Sequence, residues 1–183
     1  MKTTQIRICG FGGQGVILAG MIMGKAAAIF ENIQAALTQS FGPEARGGAC
    51  SASVIISESD ILYPYVTHPD VLIAMSQEAF NKFIPELAGE RTLIYEEDLV
   101  KPEGLTQGIK SYGIPATRIA EEIGRRLVAN IVIVGAFTSL IGIIQKEAML
   151  KALLSLVPKG TEDMNEKAFE RGYQFAEKLV NSE

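Results

Sequence analysis

The run Cys9-Gly10-Phe11-Gly12-Gly13-Gln14-Gly15-Val16 holds the residue types and spacing most suited to chemistry in this chain. Gly10, Gly12 and Gly15 have G-x-G-x-x-G spacing, with Gly13 and Gln14 inside it. Between a strand and a helix, such a turn lets backbone come close to a ligand. The free N–H groups and partial positive charge of the helix start then favour a phosphate. A dinucleotide site of this kind also needs an Asp or Glu about 20 residues on, at the end of the second strand, to hold a ribose hydroxyl. The chain offers Thr38, Gln39 and Ser40 there, and Glu31 comes too early. Three uses of the turn stay open: a dinucleotide site lacking its acid, a site for another phosphate-bearing ligand, and close packing within the chain or against a partner.

The second candidate is the loop carrying Gly42, Pro43, Glu44, Arg46 and Gly47. Arg46 between glycines can clamp a carboxylate or phosphate, or it can pair with Glu44 or a partner subunit. In a parallel sheet this loop falls at the same edge as the glycine turn. Other residues carry less. His68 is the only histidine, and with Asp70 alone it makes no metal site. Glu96-Glu97-Asp98 reads as a solvated strand end. There is no nucleophile elbow, Walker lysine or zinc spacing, so the sequence assigns no catalytic residue, no metal ligand and no cofactor to this chain itself.

These residues need a scaffold, and the apolar pattern supplies one. Residues 4–9 read as a buried strand, 13–30 as a helix and 32–39 as a second strand, a β-α-β start. Further strands are expected at 49–59, 71–76, 91–97 and 107–115. A helix over 77–87 must end or bend near Pro85. An amphipathic helix at 116–127, an apolar one at 129–142, and helices at 146–158 and 162–180 follow. Met164, Ala168, Phe175 and Leu179 are the expected apolar stripe of the last. Strands alternating with helices, then helices only, predict an α/β layered, Rossmann-like domain with a largely parallel sheet and a helical C-terminal part. It is read as one domain over residues 1–183.

Bulk properties exclude several partner classes. Net charge is −4 with no basic stripe, which argues against nucleic acid. Cys9 and Cys50 are too few for a disulfide framework or an iron–sulfur cluster and fit a reducing cytoplasm. The N-terminus shows no signal peptide. The uncharged stretch 127–144 touches the lower limit of a membrane span, but its Asn, Ser, Thr and Gly residues favour a helix buried in a core or interface.

Taken together, GFGGQGV at 10–16, SFGPEARGGACSASVIIS at 40–57, PDVLIAMSQEAF at 69–80 and ANIVIVGAF at 129–137 resemble the gamma subunit of the 2-oxoacid:ferredoxin oxidoreductases. Gly10, Gly12, Gly13, Gln14 and Gly15 match the family's G-x-G-G-Q-G turn. Gly42, Pro43, Glu44, Arg46 and Gly47 match its G-P-E-x-R-G loop, and Asn130 and Gly135 match its late helix. The resemblance implies a share in an enzyme that decarboxylates a 2-oxoacid on thiamine diphosphate with magnesium. Its electrons pass through iron–sulfur clusters to ferredoxin, and the acyl group passes to coenzyme A. The implied partners are alpha, beta and delta subunits, which would hold the thiamine site and the clusters. This chain would be a structural or CoA-facing part, inactive alone, with apolar helices that partner subunits could cover. The GPEARGG loop looks closer to the 2-oxoglutarate and branched-chain (ketoisovalerate) members than to the pyruvate members. Related subunits of indolepyruvate enzymes also fit. Arg46 would then be placed to meet the distal carboxylate of 2-oxoglutarate. The alternative is a stand-alone nucleotide-binding oxidoreductase or regulatory domain using the glycine turn.

Overall fold

In the computed structural model, residues 3–40 and 49–181 are described. Six strands form one sheet: β1 (Thr3–Phe11), β2 (Gln34–Ser40), β3 (Ala49–Ser57), β4 (Val71–Ala74), β5 (Thr92–Glu96) and β6 (Lys110–Ile114). Their order is β2-β3-β1-β4-β5-β6. β1, β4, β5 and β6 are parallel, and β3 runs antiparallel to both of its neighbours. Five of the six strands therefore point the same way, and only β3 is reversed. The expected β1–β2 neighbourhood is interrupted by β3, whose nine residues are all buried. A strand rich in Val, Ile and Ala without charge gains most from a central position with both faces covered.

The helices are α1 (Val16–Lys25), α2 (Gln77–Phe83), α3 (Ala116–Ile123), α4 (Ala129–Ile141), α5 (Lys146–Leu154) and α6 (Glu162–Asn181). A π-helical turn over Ala26–Phe30 extends α1, so the long first helix changes its winding rather than continuing regularly. The second helix stops at Phe83 and a short 3-10 turn carries Pro85, as proline geometry requires. Helices α1, α3, α4, α5 and α6 build the larger core on one face of the sheet. The other face carries a smaller core around Leu72, Phe80, Phe83 and Leu93, contributed largely by α2.

Helix α4 is apolar on every side because the chain itself surrounds it: every residue from Ala129 to Thr138 is buried. It needs no partner subunit over those ten residues. Among the described residues, no helix is long and apolar enough to cross a membrane. Helix α6 crosses α4 through glycines. A Cβ on Gly135 would lie 2.1 Å from the Phe169 carbonyl oxygen, and one on Gly172 would lie 2.0 Å from the Val132 carbonyl oxygen. The buried seam of α6 is thus Asn165, Ala168, Phe169, Gly172 and Ala176. Of the expected stripe, Ala168 lies in the seam, while Met164, Phe175 and Leu179 flank it half-buried. Small residues allow the close crossing, and this moved the stripe.

Candidate functional site

The carboxyl ends of β1, β4 and β5, together with the start of α3 after β6, meet at one edge of the sheet. β1 leads by way of α1 toward β2 on one side, while β4, β5 and β6 lie on the other. A crevice between β1 and β4, where the connections part, is the usual ligand position of an open α/β sheet. The glycine turn sits there. Both flanks of the 41–48 segment reach this edge, since Ala49 pairs with Phe11 and Ser40 with Ser51. The candidates Gly42, Pro43, Glu44, Arg46 and Gly47 lie outside the described residues.

The five turn residues divide by role. Gly10 is a packing position: a Cβ there would lie 2.5 Å from Gln14 Oε1 and 3.1 Å from Met75 Cβ. Gly15, at φ +70°, leads into α1, and a Cβ there would strike the Asn130 amide at 2.3 Å. Asn130 Nδ2 donates to the Gly15 carbonyl at 3.2 Å, tying α4 to the turn. Gln14 latches two loops together: its Oε1 accepts from the Phe11 amide at 2.7 Å and its Nε2 donates to the Met75 carbonyl at 2.8 Å. Gly12 and Gly13, by contrast, face open space. The turn therefore combines close packing on one side with a backbone open to a ligand on the other. No side chain caps the start of α1, so its first amides keep their anion-attracting character.

Beside the turn lies a cleft of about 210 Å³ lined by Gly13, Gln14, Met75, Glu96, Leu99, Thr117, Arg126, Leu127 and Ala129. Of these, Arg126 is exposed and Leu127 is 79% exposed. An exposed cation in the lining and free backbone at one wall suit a phosphate-bearing group with an apolar continuation.

Glu96 forms part of the cleft wall and was missed as a buried group. It is fully buried, which corrects its reading as a solvated strand end. Its carboxylate accepts from the Asp98 amide at 3.2 Å, from the Thr117 amide at 3.2 Å, and from the Thr117 hydroxyl. It thereby caps α3 from another strand, and an acid at a helix start is electrostatically favoured. Its neighbours Glu97 and Asp98 do stay at the surface, both paired with Arg118. The only sequence signal for Glu96 was its place at the end of an apolar strand.

Cys9 and Cys50 belong to opposite sheet faces, since Cys50 pairs with Gly10 and Cys9 with Ser51, and they pack in different cores. They cannot share a cluster or a disulfide. Burial pushes both thiols up, Cys9 well beyond the usual range. Raising a thiol's pKa lowers its thiolate fraction, and the thiolate is the reactive form. Both cysteines are therefore expected to resist a thiol-reactive dye in the native protein at neutral pH and to label fully on unfolding. Rapid native labelling of Cys9 would contradict this placement. His68 is exposed and hydrogen-bonds the neighbouring Thr67 hydroxyl at 3.2 Å. Asp70 instead pairs with Arg91 and accepts from the Gln5 amide at 2.7 Å. Among the described residues, no group of three or more His, Cys, Asp or Glu could hold a metal ion. These residues do not fit an iron–sulfur cluster.

Residues 5–175 match the family described as pyruvate ferredoxin/flavodoxin oxidoreductase. The chain is 49% identical to the 2-oxoglutarate synthase subunit KorC of Methanocaldococcus jannaschii, over 96% of this chain and 95% of that one. A solved keto/oxoacid ferredoxin oxidoreductase gamma subunit from Geobacter sulfurreducens superposes with a TM-score of 0.83 at 41% identity, covering 94% of this chain and 98% of that one. The 2-oxoglutarate:ferredoxin oxidoreductase of Magnetococcus marinus, solved with 2-oxoglutarate, coenzyme A and succinyl-CoA bound, shares the fold with a TM-score of 0.89. That likeness is at 24% identity and covers 98% of this chain but 32% of the other.

Proposed function

This chain belongs to the pyruvate ferredoxin/flavodoxin oxidoreductase family, and from that premise we propose that it is the gamma-type subunit of a 2-oxoglutarate:ferredoxin oxidoreductase. The observation that carries the reading is the near end-to-end, 49% identical match to a 2-oxoglutarate synthase subunit. The complex would convert 2-oxoglutarate and coenzyme A to succinyl-CoA and carbon dioxide, passing two electrons to ferredoxin. Thiamine diphosphate, magnesium and the iron–sulfur clusters would be held by alpha, beta and delta-type subunits in the cytoplasm. This chain would be non-catalytic by itself.

Its part in the reaction would be to face coenzyme A with the cleft beside the glycine turn. The open backbone at Gly12 and Gly13 and the exposed Arg126 in the cleft lining support that role, because both favour the phosphates of the cofactor. Gln14 and Asn130 would act indirectly, by holding the turn in shape.

The test is to tag the chain in its native cells, purify anaerobically, and assay 2-oxoacid- and CoA-dependent reduction of a viologen dye. Activity strongest with 2-oxoglutarate is expected, against pyruvate and 3-methyl-2-oxobutanoate as competitors. A colourless, inactive, single-chain preparation that NADH stabilises against heat would replace this reading with a free-standing nucleotide site. In the assembled enzyme, Arg126→Ala is expected to raise KM for CoA about tenfold, the loss of one exposed charge-assisted contact, with kcat little changed. An unchanged KM would remove Arg126 from the site.

A further inference from the structure

We propose that Arg125 binds the 3′-phosphate of coenzyme A while Arg126 meets its diphosphate. The inference rests on the coenzyme A reading above and extends it to how that ligand is told from its dephosphorylated form. Arg125 and Arg126 are both exposed. Every other arginine among the described residues has an acidic partner: Arg7 has Glu86, Arg91 has Asp70, Arg118 has Glu97 and Asp98, and Arg171 has Glu122. Among the described residues, no carboxylate pairs with Arg125 or Arg126. Acids are not scarce in this chain, which has 21 Asp and Glu against 17 Lys and Arg. Two adjacent cations without partners repel each other, and bound anions relieve that repulsion.

Local structure fixes where the pair stands. Helix α3 ends at Gly124, whose φ of +111° is open to glycine, and its amide bonds the carbonyls of Ala120 and Glu121. Arg125 is then extended at φ −149°, and Arg126–Val128 forms the 3-10 turn into α4. Val128 is buried in the larger core and roots that turn. Asn130, just beyond it, bonds the Gly15 carbonyl. The arginines are therefore held in a fixed relation to the glycine turn. Arg126 lines the cleft together with Gly13 and Gln14, and Arg125 stands outside that lining. With three residues per turn, neighbouring side chains leave a 3-10 backbone roughly 120° apart.

That arrangement suits a ligand with two separate anionic centres. Coenzyme A has a diphosphate next to its pantetheine arm and a single phosphate on its ribose. The open backbone at Gly12 and Gly13 and the Arg126 guanidinium favour the first. The second would then lie outside the cleft, where Arg125 can fork two N–H groups onto it.

The experiment uses the assembled enzyme, purified anaerobically, and compares coenzyme A with dephospho-coenzyme A. Affinity is read as KM, or as an inhibition constant against coenzyme A where the dephospho form is not turned over. The wild type is expected to prefer coenzyme A. Arg125→Ala should weaken coenzyme A about tenfold and change the dephospho form less than about twofold, so the preference collapses. Arg126→Ala should weaken both alike. Arg125→Lys should keep part of the preference, because the charge remains without the planar fork. Thermal melts establish that the variants fold. A wild type that takes both forms equally would overturn the inference, as would an Arg125→Ala loss equal for both. Loss of the other subunits from Arg125→Ala during purification would place this arginine against a partner chain and also overturn it. These outcomes leave the coenzyme A reading standing; an assembled enzyme indifferent to coenzyme A would overturn that reading and the inference with it.

Discussion

Gly135→Ala is expected to be among the most damaging single-methyl additions to this protein. The new carbon would fall 2.1 Å from the Phe169 carbonyl oxygen, less than two-thirds of a normal contact. The obstacle is backbone, so no rotamer change relieves it, and α4 must move away from α6. Overpacking a core costs about 1–3 kcal/mol, and a backbone obstacle belongs at or above the top of that range. At about 2–4 °C per kcal/mol for a chain of this length, the melting temperature should fall by about 10 °C. Gly172→Ala, facing Val132 across the same crossing, should behave alike. Gly24→Ala is the control: it is also helical, but its Cβ would meet nothing within 4 Å. Helix propensity alone then favours alanine by about 1 kcal/mol. Equal melting temperatures for Gly135→Ala and Gly24→Ala would mean that the helices do not cross in this way.

Glu96→Ala should rank next, and it links stability to the site. Removing the carboxylate of the fully buried Glu96 strands the buried Thr117 amide and hydroxyl and frees the part-buried Asp98 amide. Losing a buried charged acceptor with several donors costs about 3 kcal/mol. Helix α3 would lose the group at its first turn, and the short 3-10 turn carrying Arg126 and Leu127 follows α3 directly. Glu96→Gln should recover only part of the loss, because an amide has one acceptor oxygen where the carboxylate uses both. Urea titration of the three forms measures the order wild type, Gln, Ala. If Ala equals wild type, Glu96 is not the cap.

Much of this architecture was legible in the sequence because strand and helix periods are local properties. The runs at β1, β4 and β5, the helices after them, and the break at Pro85 follow from the spacing of apolar residues and from proline geometry. The glycine turn's place between a strand and a helix was legible as well, because closely spaced glycines after an apolar strand mark a tight turn. The spacing alone did not divide its labour. Gln14 binds Met75, 61 residues away, and Asn130 reaches Gly15 across 115 residues. Long-range hydrogen bonds leave no periodic trace.

By itself, then, the sequence determined most of the strands and helices, where the glycine turn lies, and which family the chain resembles. Tertiary structure decided the rest. It inserted β3 in reverse between β1 and β2, because an uncharged strand is most stable with both faces covered. It buried Glu96 under the start of α3, where helix amides outcompete water for the carboxylate. It enclosed α4 within its own chain, because two glycines let α6 come close enough to exclude any other cover. Each outcome depends on which distant surface a segment meets, and that is settled only when the whole core packs.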